Sequence, residues 1–300
     1  MADQKNLEYV YTLIDKIFRF AIGKTGDFSG AMYNGDFSMS LEQAQERKHE
    51  FIVENLNIRE GSRVLDLGCG WGGFLKYIKY KGAEGIGVTL STGQLEACRK
   101  NGLDVHLVDC RTIKPETFGT FDAIVSLEAF EAFSSREDWE AGKQDEIYRN
   151  FFKSVHDLLP IGGRFYLQTA TFGKNMIDYE DVDIIADKDS IAYICAHMEK
   201  SFPGHWLPYG KEQIIKNTEP YFQLIFMKNG RLDTMETNRV WRKNFRKFSL
   251  RKYLFYLSLI PSYLFDKKFR RRIEIFGINA NELCYEHEIM DHYRFVFEKA

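Results

Sequence analysis

Ten residues, Val64-Leu65-Asp66-Leu67-Gly68-Cys69-Gly70-Trp71-Gly72-Gly73, carry the most specific chemical signal in the chain. A hydrophobic strand runs into a glycine-rich turn and then into a helix. Glycine permits positive φ and lets a ligand approach backbone where a Cβ would clash. The helix N-terminus that follows offers unpaired N–H groups to a negative group. Gly68-x-Gly70-x-x-Gly73 matches the dinucleotide fingerprint formally, but that fingerprint also needs an acid closing the second strand to hold a ribose. Thr89 stands there instead, and Asp66, two residues before the first glycine, is a further departure.

Proton-transfer candidates lie further on. Glu131, at the C-terminal edge of the fourth strand, is the candidate general base; its structural alternative is a carboxylate that only accepts from loop amides. Glu128 is the rival and reads as a solvated side chain. His205, His287 and His292 are each expected to be structural or on the surface, as lone histidines usually are. Cys69, Cys98, Cys110, Cys195 and Cys284 are odd in number with no C-x-x-C pair. That argues against both a disulfide framework and a zinc site, and for a reduced, cytoplasmic compartment.

The elements that must position these groups alternate. Strands are expected at Arg63–Leu67, Glu84–Thr89, Val105–Asp109, Phe121–Leu127 and Arg164–Thr171, with helices at Gly72–Lys81, Gly93–Asn101 and Glu146–Leu159. Such alternation implies βαβ units and a parallel sheet, hence an α/β fold. Upstream, Leu7, Val10, Leu13, Ile14, Ile17 and Phe18 fall at helical spacing. Ser40-Leu41-Glu42-Gln43 is a capping-box signature opening a second helix. From Phe172 to about Tyr209 the alternation stops, and this stretch reads as an insertion over the sheet edge where ligands bind in open α/β folds. Gln223–Lys228 and Tyr293–Glu298 read as further strands.

Composition sets limits. The 300 residues carry 41 Lys plus Arg against 43 Asp plus Glu, so a generally basic nucleic-acid binder is excluded and no nucleic-acid partner is expected. The acidic and basic residues mixed into Met1–Arg19 exclude a continuous apolar leader there, and no run reaches the ~18 apolar residues of a spanning helix. Charge is nevertheless uneven. Residues 241–272 hold eleven basic side chains against Asp266 alone, a local +10 that leaves the rest of the chain at −12. Between the basic blocks lies the apolar Tyr253–Phe265. Such a segment either lies on an anionic membrane surface or packs its apolar part on the sheet and exposes its charges.

Asp66-x-Gly68-x-Gly70 resembles the first motif of class I S-adenosylmethionine (SAM) methyltransferases. Gly68-Cys69-Gly70-Trp71-Gly72, Gly87-Val88-Thr89-Leu90-Ser91, Phe121-Asp122-Ala123-Ile124-Val125-Ser126, Phe130-Glu131 and Phe202-Pro203-Gly204-x-x-Leu207-Pro208 together resemble the cyclopropane-fatty-acid synthase and mycolic-acid methyltransferase family. So do Phe28-Ser29-Gly30-Ala31 and Leu41-Glu42-Gln43-Ala44-Gln45. The resemblance implies a Rossmann-like, mostly parallel seven-stranded sheet with an antiparallel last strand and helical caps. It implies one domain: an N-terminal helical lid over 1–60, a SAM-binding core over 61–171, cap insertion, strand and basic helical segment over 172–292, and a final strand at 293–298. Asp66, Gly68, Cys69 and Gly70 would meet the methionine part of SAM, and Thr89, Leu90 and Gln94 the ribose. Asp109, Cys110 and Leu127 would frame the adenine, with Phe28 and Ser29 closing the pocket.

The resemblance also implies a bicarbonate base held by a Cys, Glu, His and Tyr set. Here those positions read Gly30, Glu131, Gln168 and Thr234, so Glu131 alone survives, and the residue after it is Ala132. The expected function is methyl transfer to a hydrophobic substrate, foremost an alkene carbon of an unsaturated acyl lipid. A small-molecule C- or N-methyltransferase and a non-catalytic SAM- and lipid-binding module are the alternatives. The expected partners are a hydrophobic small-molecule or acyl-lipid substrate and, through 241–272, a peripheral contact with an anionic membrane.

Overall fold

A computed structural model describes residues 19–202, 204–267, 269–270 and 280–300. The helix expected over Leu7–Phe18 lies outside the described residues, as do Pro203, Lys268, Arg271 and Arg272. The strands are β1 (Arg63–Leu67), β2 (Glu84–Thr89), β3 (Asp104–Leu107), β4 (Ala123–Leu127), β5 (Arg164–Phe172), β6 (Phe222–Asn229) and β7 (Met290–Lys299). They form one sheet in the order β3-β2-β1-β4-β5-β7-β6. All pairings are parallel except those of β7, which runs antiparallel to both β5 and β6.

Helices follow the strands as the sequence implies. They are α1 (Leu41–Asn55), α2 (Gly73–Tyr80), α3 (Thr92–Lys100), the short α4 (Pro115–Phe118) and α5 (Arg136–Glu140), and α6 (Gln144–Asp157). The capping box forms: Gln43 N–H donates to Ser40 Oγ (3.2 Å) and Ser40 N–H to Gln43 Oε1 (2.9 Å). Beyond β5 come α7 (Ile191–Ser201), α8 (Gly210–Thr218), α9 (Arg231–Arg246), α10 (Leu250–Phe265) and α11 (Ala280–Glu286). The insertion thus contains a full helix, α7, capped by Ser190; the acidic run before it hides the helical period.

Apolar side chains cover both faces of the sheet. Phe130, Tyr148, Phe152, Phe165 and Phe297 fill one face, and Ile52, Phe74, Leu75, Tyr166 and Val296 the other. A third cluster, with Ile194, Leu207, Met235, Tyr285 and Met290, seats the cap on the sheet edge. The last strand starts three residues earlier than its alternation indicates. Met290, Asp291 and His292 pair with Phe172, Thr171 and Ala170, which carries His292 to the C-terminal end of β5. Because β7 is interior and covered on both faces, the side opposite Phe295 is buried too, including Arg294.

Candidate active site

The glycine turn leaves β1 as expected. Gly68 has φ +85°, and a Cβ there would stand 2.4 Å from Ala129 Cβ, so only glycine lets the turn lie against the segment after β4. Above Gly70, at φ +54°, an added Cβ would meet nothing within 4 Å. That open cradle lies beside Asp66, whose Oδ1 is buried and has no partner among the described residues. Burial, then the nearby Asp27, pushes the Asp66 carboxyl well above the usual range. A buried acid with an unused oxygen beside open space over a glycine turn fits a ligand carrying an amino group, such as the methionine end of SAM.

The other expected cofactor residues divide. Thr89 Oγ1 bonds Gln94 Oε1 at 2.7 Å and accepts from Ser91 N–H, which fixes the end of β2. Leu90 is exposed beside them. Cys69 turns its thiol inward, close under Gly87, and its N–H goes to Val88 O, so its side chain faces away from the cradle. Asp109 is gripped by Arg111 through both oxygens (Nε–Oδ1 3.0 Å, Nη2–Oδ2 2.6 Å). Cys110 beside it has its thiol raised to about 12 by burial. Leu127 closes β4, half-buried. Phe28 stacks on Trp241 of α9 at 5.1 Å and meets Trp71 edge-on, tying the lid to the glycine turn. Ser29 Oγ donates to Asp27 Oδ1 and accepts from Lys48 Nζ, both at 2.6 Å. Asp27 also takes His49 Nε2 and Lys48, an arrangement that holds it far below the usual range despite its burial.

At the end of β4 the structure corrects the sequence. Glu128 is not a solvated rival of Glu131. It sits at φ +57°, and its Oε1 accepts from Gly30 N–H (2.7 Å), His292 Nε2 (2.9 Å) and Gln168 Nε2 (3.1 Å). Gly30, Gln168 and Thr234, where the resemblance places the missing Cys, His and Tyr, converge here. A Cβ on Gly30 would lie 2.7 Å from Thr234 Oγ1, 3.2 Å from Glu128 Oε1 and 3.5 Å from Gln168 Nε2. Arg294 fixes the amide orientation of Gln168: its guanidinium, paired with Asp233 (2.7 Å), points Nε at Gln168 Oε1, leaving Gln168 Nε2 to face Gly30 O and Glu128. Burial would raise the Glu128 carboxyl, but the bonds from His292, Gly30 and Gln168 outweigh it and hold it below the usual range. Burial lowers His292, so it donates to Glu128 as a neutral imidazole.

Glu131, on the turn Phe130–Ala132, bonds Ala170 N–H of β5 through Oε1 at 2.6 Å. Its Oε2 is buried without a partner among the described residues. Burial and then the charge of Glu128 push Glu131 up to about 8. One carboxyl of the pair is therefore held ionised and the other protonated at neutral pH, the separation on which acid–base sites rest. His205 and His287 stand apart from this centre, whereas His292, expected to be structural, is part of it. A cleft of about 740 Å³ between Arg136, Trp139, Tyr179 and Val182 shares no lining residue with it.

A parallel sheet of this order with an antiparallel β7, and a glycine turn beside a buried aspartate at the end of β1, define a class I methyltransferase whose cofactor is SAM. The family model described as mycolic acid cyclopropane synthetase matches residues 1–253. The chain is similar to the S-adenosylmethionine-dependent methyltransferase UmaA of Mycobacterium tuberculosis, 29% identical over 213 residues, 69% of this chain and 70% of that one. It is also similar to cyclopropane mycolic acid synthase 3 of the same species, 28% identical over 68% of each chain. Among solved structures, the cyclopropane synthase MmaA2 from M. tuberculosis superposes with a TM-score of 0.74 at 22% identity, covering 99% of this chain and 98% of that one. The chain belongs to the mycolic acid cyclopropane synthetase family.

Proposed function

We propose that this methyltransferase adds a methyl group to an alkene carbon of an unsaturated acyl chain, and that it meets its lipid at an anionic membrane surface through residues 241–272. Membership of the mycolic acid cyclopropane synthetase family, and similarity to relatives that include cyclopropane mycolic acid synthases, support the substrate class. The observation that carries the reading is α10. Leu250, Leu254, Leu257, Leu264 and Phe265 are each more than half exposed, and the one side chain the helix buries is Lys252. The apolar-inward half of the alternative packing is absent here: these leucines of α10 face outward together with most of the charges. Lys243, Arg246, Lys247, Arg251 and Lys267 are exposed around the apolar side chains, an arrangement suited to anionic headgroups, each cation contributing ~1 kcal/mol near such a surface. Among the described residues no helix is long and apolar enough to cross a membrane.

In this reading Asp66, Gly68 and Gly70 hold the methionine end of SAM. The backbone at Cys69 lies beside them, Thr89, Leu90 and Gln94 surround the ribose, and Asp109, Cys110 and Leu127 frame the adenine. Phe28 and Ser29 close the pocket from the lid. SAM brings an already activated methyl, so the chain's task is to align two reactants and manage a proton. Incubation with methyl-labelled SAM, first with phospholipid vesicles bearing unsaturated chains and then with a soluble metabolite pool, tests the reading. Label in the acyl chains supports it; label only in the soluble pool contradicts it.

A further inference from the structure

We propose that Glu128 is the proton acceptor of the reaction, a carboxylate built into the chain where the sequence lacks the other members of a base site. The inference rests on the acyl-chain reading above. Oε1 of Glu128 takes all three hydrogen bonds that fix the group, from backbone (Gly30), strand β5 (Gln168) and strand β7 (His292). Oε2 takes none among the described residues, and the side chain is 22% exposed. One oxygen is thus anchored and the other presented. The φ of +57° at Glu128 is a conformation a charged side chain rarely adopts without a reason, and here it turns the carboxylate into the space beside Gly30. Glu131 lacks this arrangement: one of its oxygens is spent on Ala170 N–H and the other is buried.

The residues around Glu128 are built for the task. Gln168 cannot titrate and its amide is pointed by Arg294, so it stays a donor to the carboxylate at any pH. His292 is a positioning residue: fully buried, it holds Oε1 through Nε2. Gly30 is small because any side chain there would press on Thr234 Oγ1 and on the carboxylate itself.

The alkene π pair bonds to the methyl carbon, and the carbon–sulfur pair stays on sulfur, leaving S-adenosylhomocysteine and a carbocation on the acyl chain. One C–H bond of the transferred methyl then breaks. Its electron pair closes a three-membered ring onto the cationic carbon, its proton goes to Glu128 Oε2, and from there it passes to water at the exposed edge. No external anion is required.

Glu128→Gln is the decisive variant, because a Gln oxygen can keep all three hydrogen bonds while the basic oxygen is replaced by an amide. Purified native enzyme should turn over unsaturated phospholipid equally with and without added bicarbonate. The variant should lose about 100-fold or more in kcat, the scale of a general base, with unchanged SAM affinity by calorimetry. The native-minus-variant infrared difference spectrum near neutral pH should also carry the band of one ionised carboxylate. Turnover of Glu128→Gln within threefold of native, or native turnover that stops when bicarbonate is removed, overturns the proposal. Should the variant fail to bind SAM, Glu128→Ala with added formate decides: recovery of turnover with formate supports the proposal and its absence overturns it. If the native enzyme labels no acyl chain at all, the lipid reading falls, and the infrared and formate measurements on whichever substrate takes the label still judge Glu128.

Discussion

The site is set by how neighbouring carboxyls are treated differently. Glu128 receives three donors and stays ionised, while Glu131 receives one and is held protonated up to about 8. The second fact has a consequence for stability. Between about 4.5, the ordinary value, and about 8, the folded protein keeps a proton on Glu131 that the unfolded chain has released. Stability from this group therefore falls as pH rises across that window and levels off above it. Glu131→Gln should accordingly be more stable than native near pH 8 and nearly equal to it below pH 4.5, as measured by denaturant midpoints; an equal difference at both pH values contradicts the assignment. Asp66, Gly68 and Gly70 were legible in the sequence, because their chemistry is local to one turn. Glu128 was not. Its role depends on a left-handed backbone at the strand end and on His292, 164 residues away, and no spacing rule reports either. The available signal was a lone charge directly after an apolar strand at the ligand-binding edge.

At the scale of elements, alternation located nearly every strand of the core within two residues, since each is a short apolar run between turn signals. It failed where tertiary context decides. β7 extends to Met290 because the end of β5 continues beside it, and its inner face carries Arg294 because Asp233, Ala31 O and Gln168 meet that charge. The junction of α9 and α10 shows the same dependence. Lys252 donates to the carbonyls of Phe245 and Lys247, capping the C-terminus of α9 from the next helix. In the sequence this lysine is one of eleven like charges, with nothing to mark it as the buried one. Lys252→Met should cost about 1 kcal/mol by removing the donor to two part-buried carbonyls at the end of α9, read from chemical denaturation. A loss under a few tenths of a kcal/mol would show that the cap contributes nothing.

At the scale of the molecule, the formal charge of −2 hides a body near −12 and a segment near +10, and within that segment the fold places Leu250, Leu254, Leu257, Leu264 and Phe265 of α10 outward. Composition revealed the segment but not which way it faces, since orientation depends on what already covers the sheet. Binding to vesicles containing anionic lipid should exceed binding to neutral vesicles, weaken with salt because the exposed cations are screened, and drop at least tenfold in a Leu254→Ser, Leu257→Ser double variant. Equal binding to both vesicle types would remove the membrane contact while leaving the chemistry intact. The acceptor of the methyl group is tested most directly by mass spectrometry of unsaturated phospholipid after incubation with purified enzyme and methyl-labelled SAM. Acyl chains should gain one CH₂ and lose a double bond; unchanged chains, with the label in a soluble metabolite, would contradict an acyl-chain acceptor.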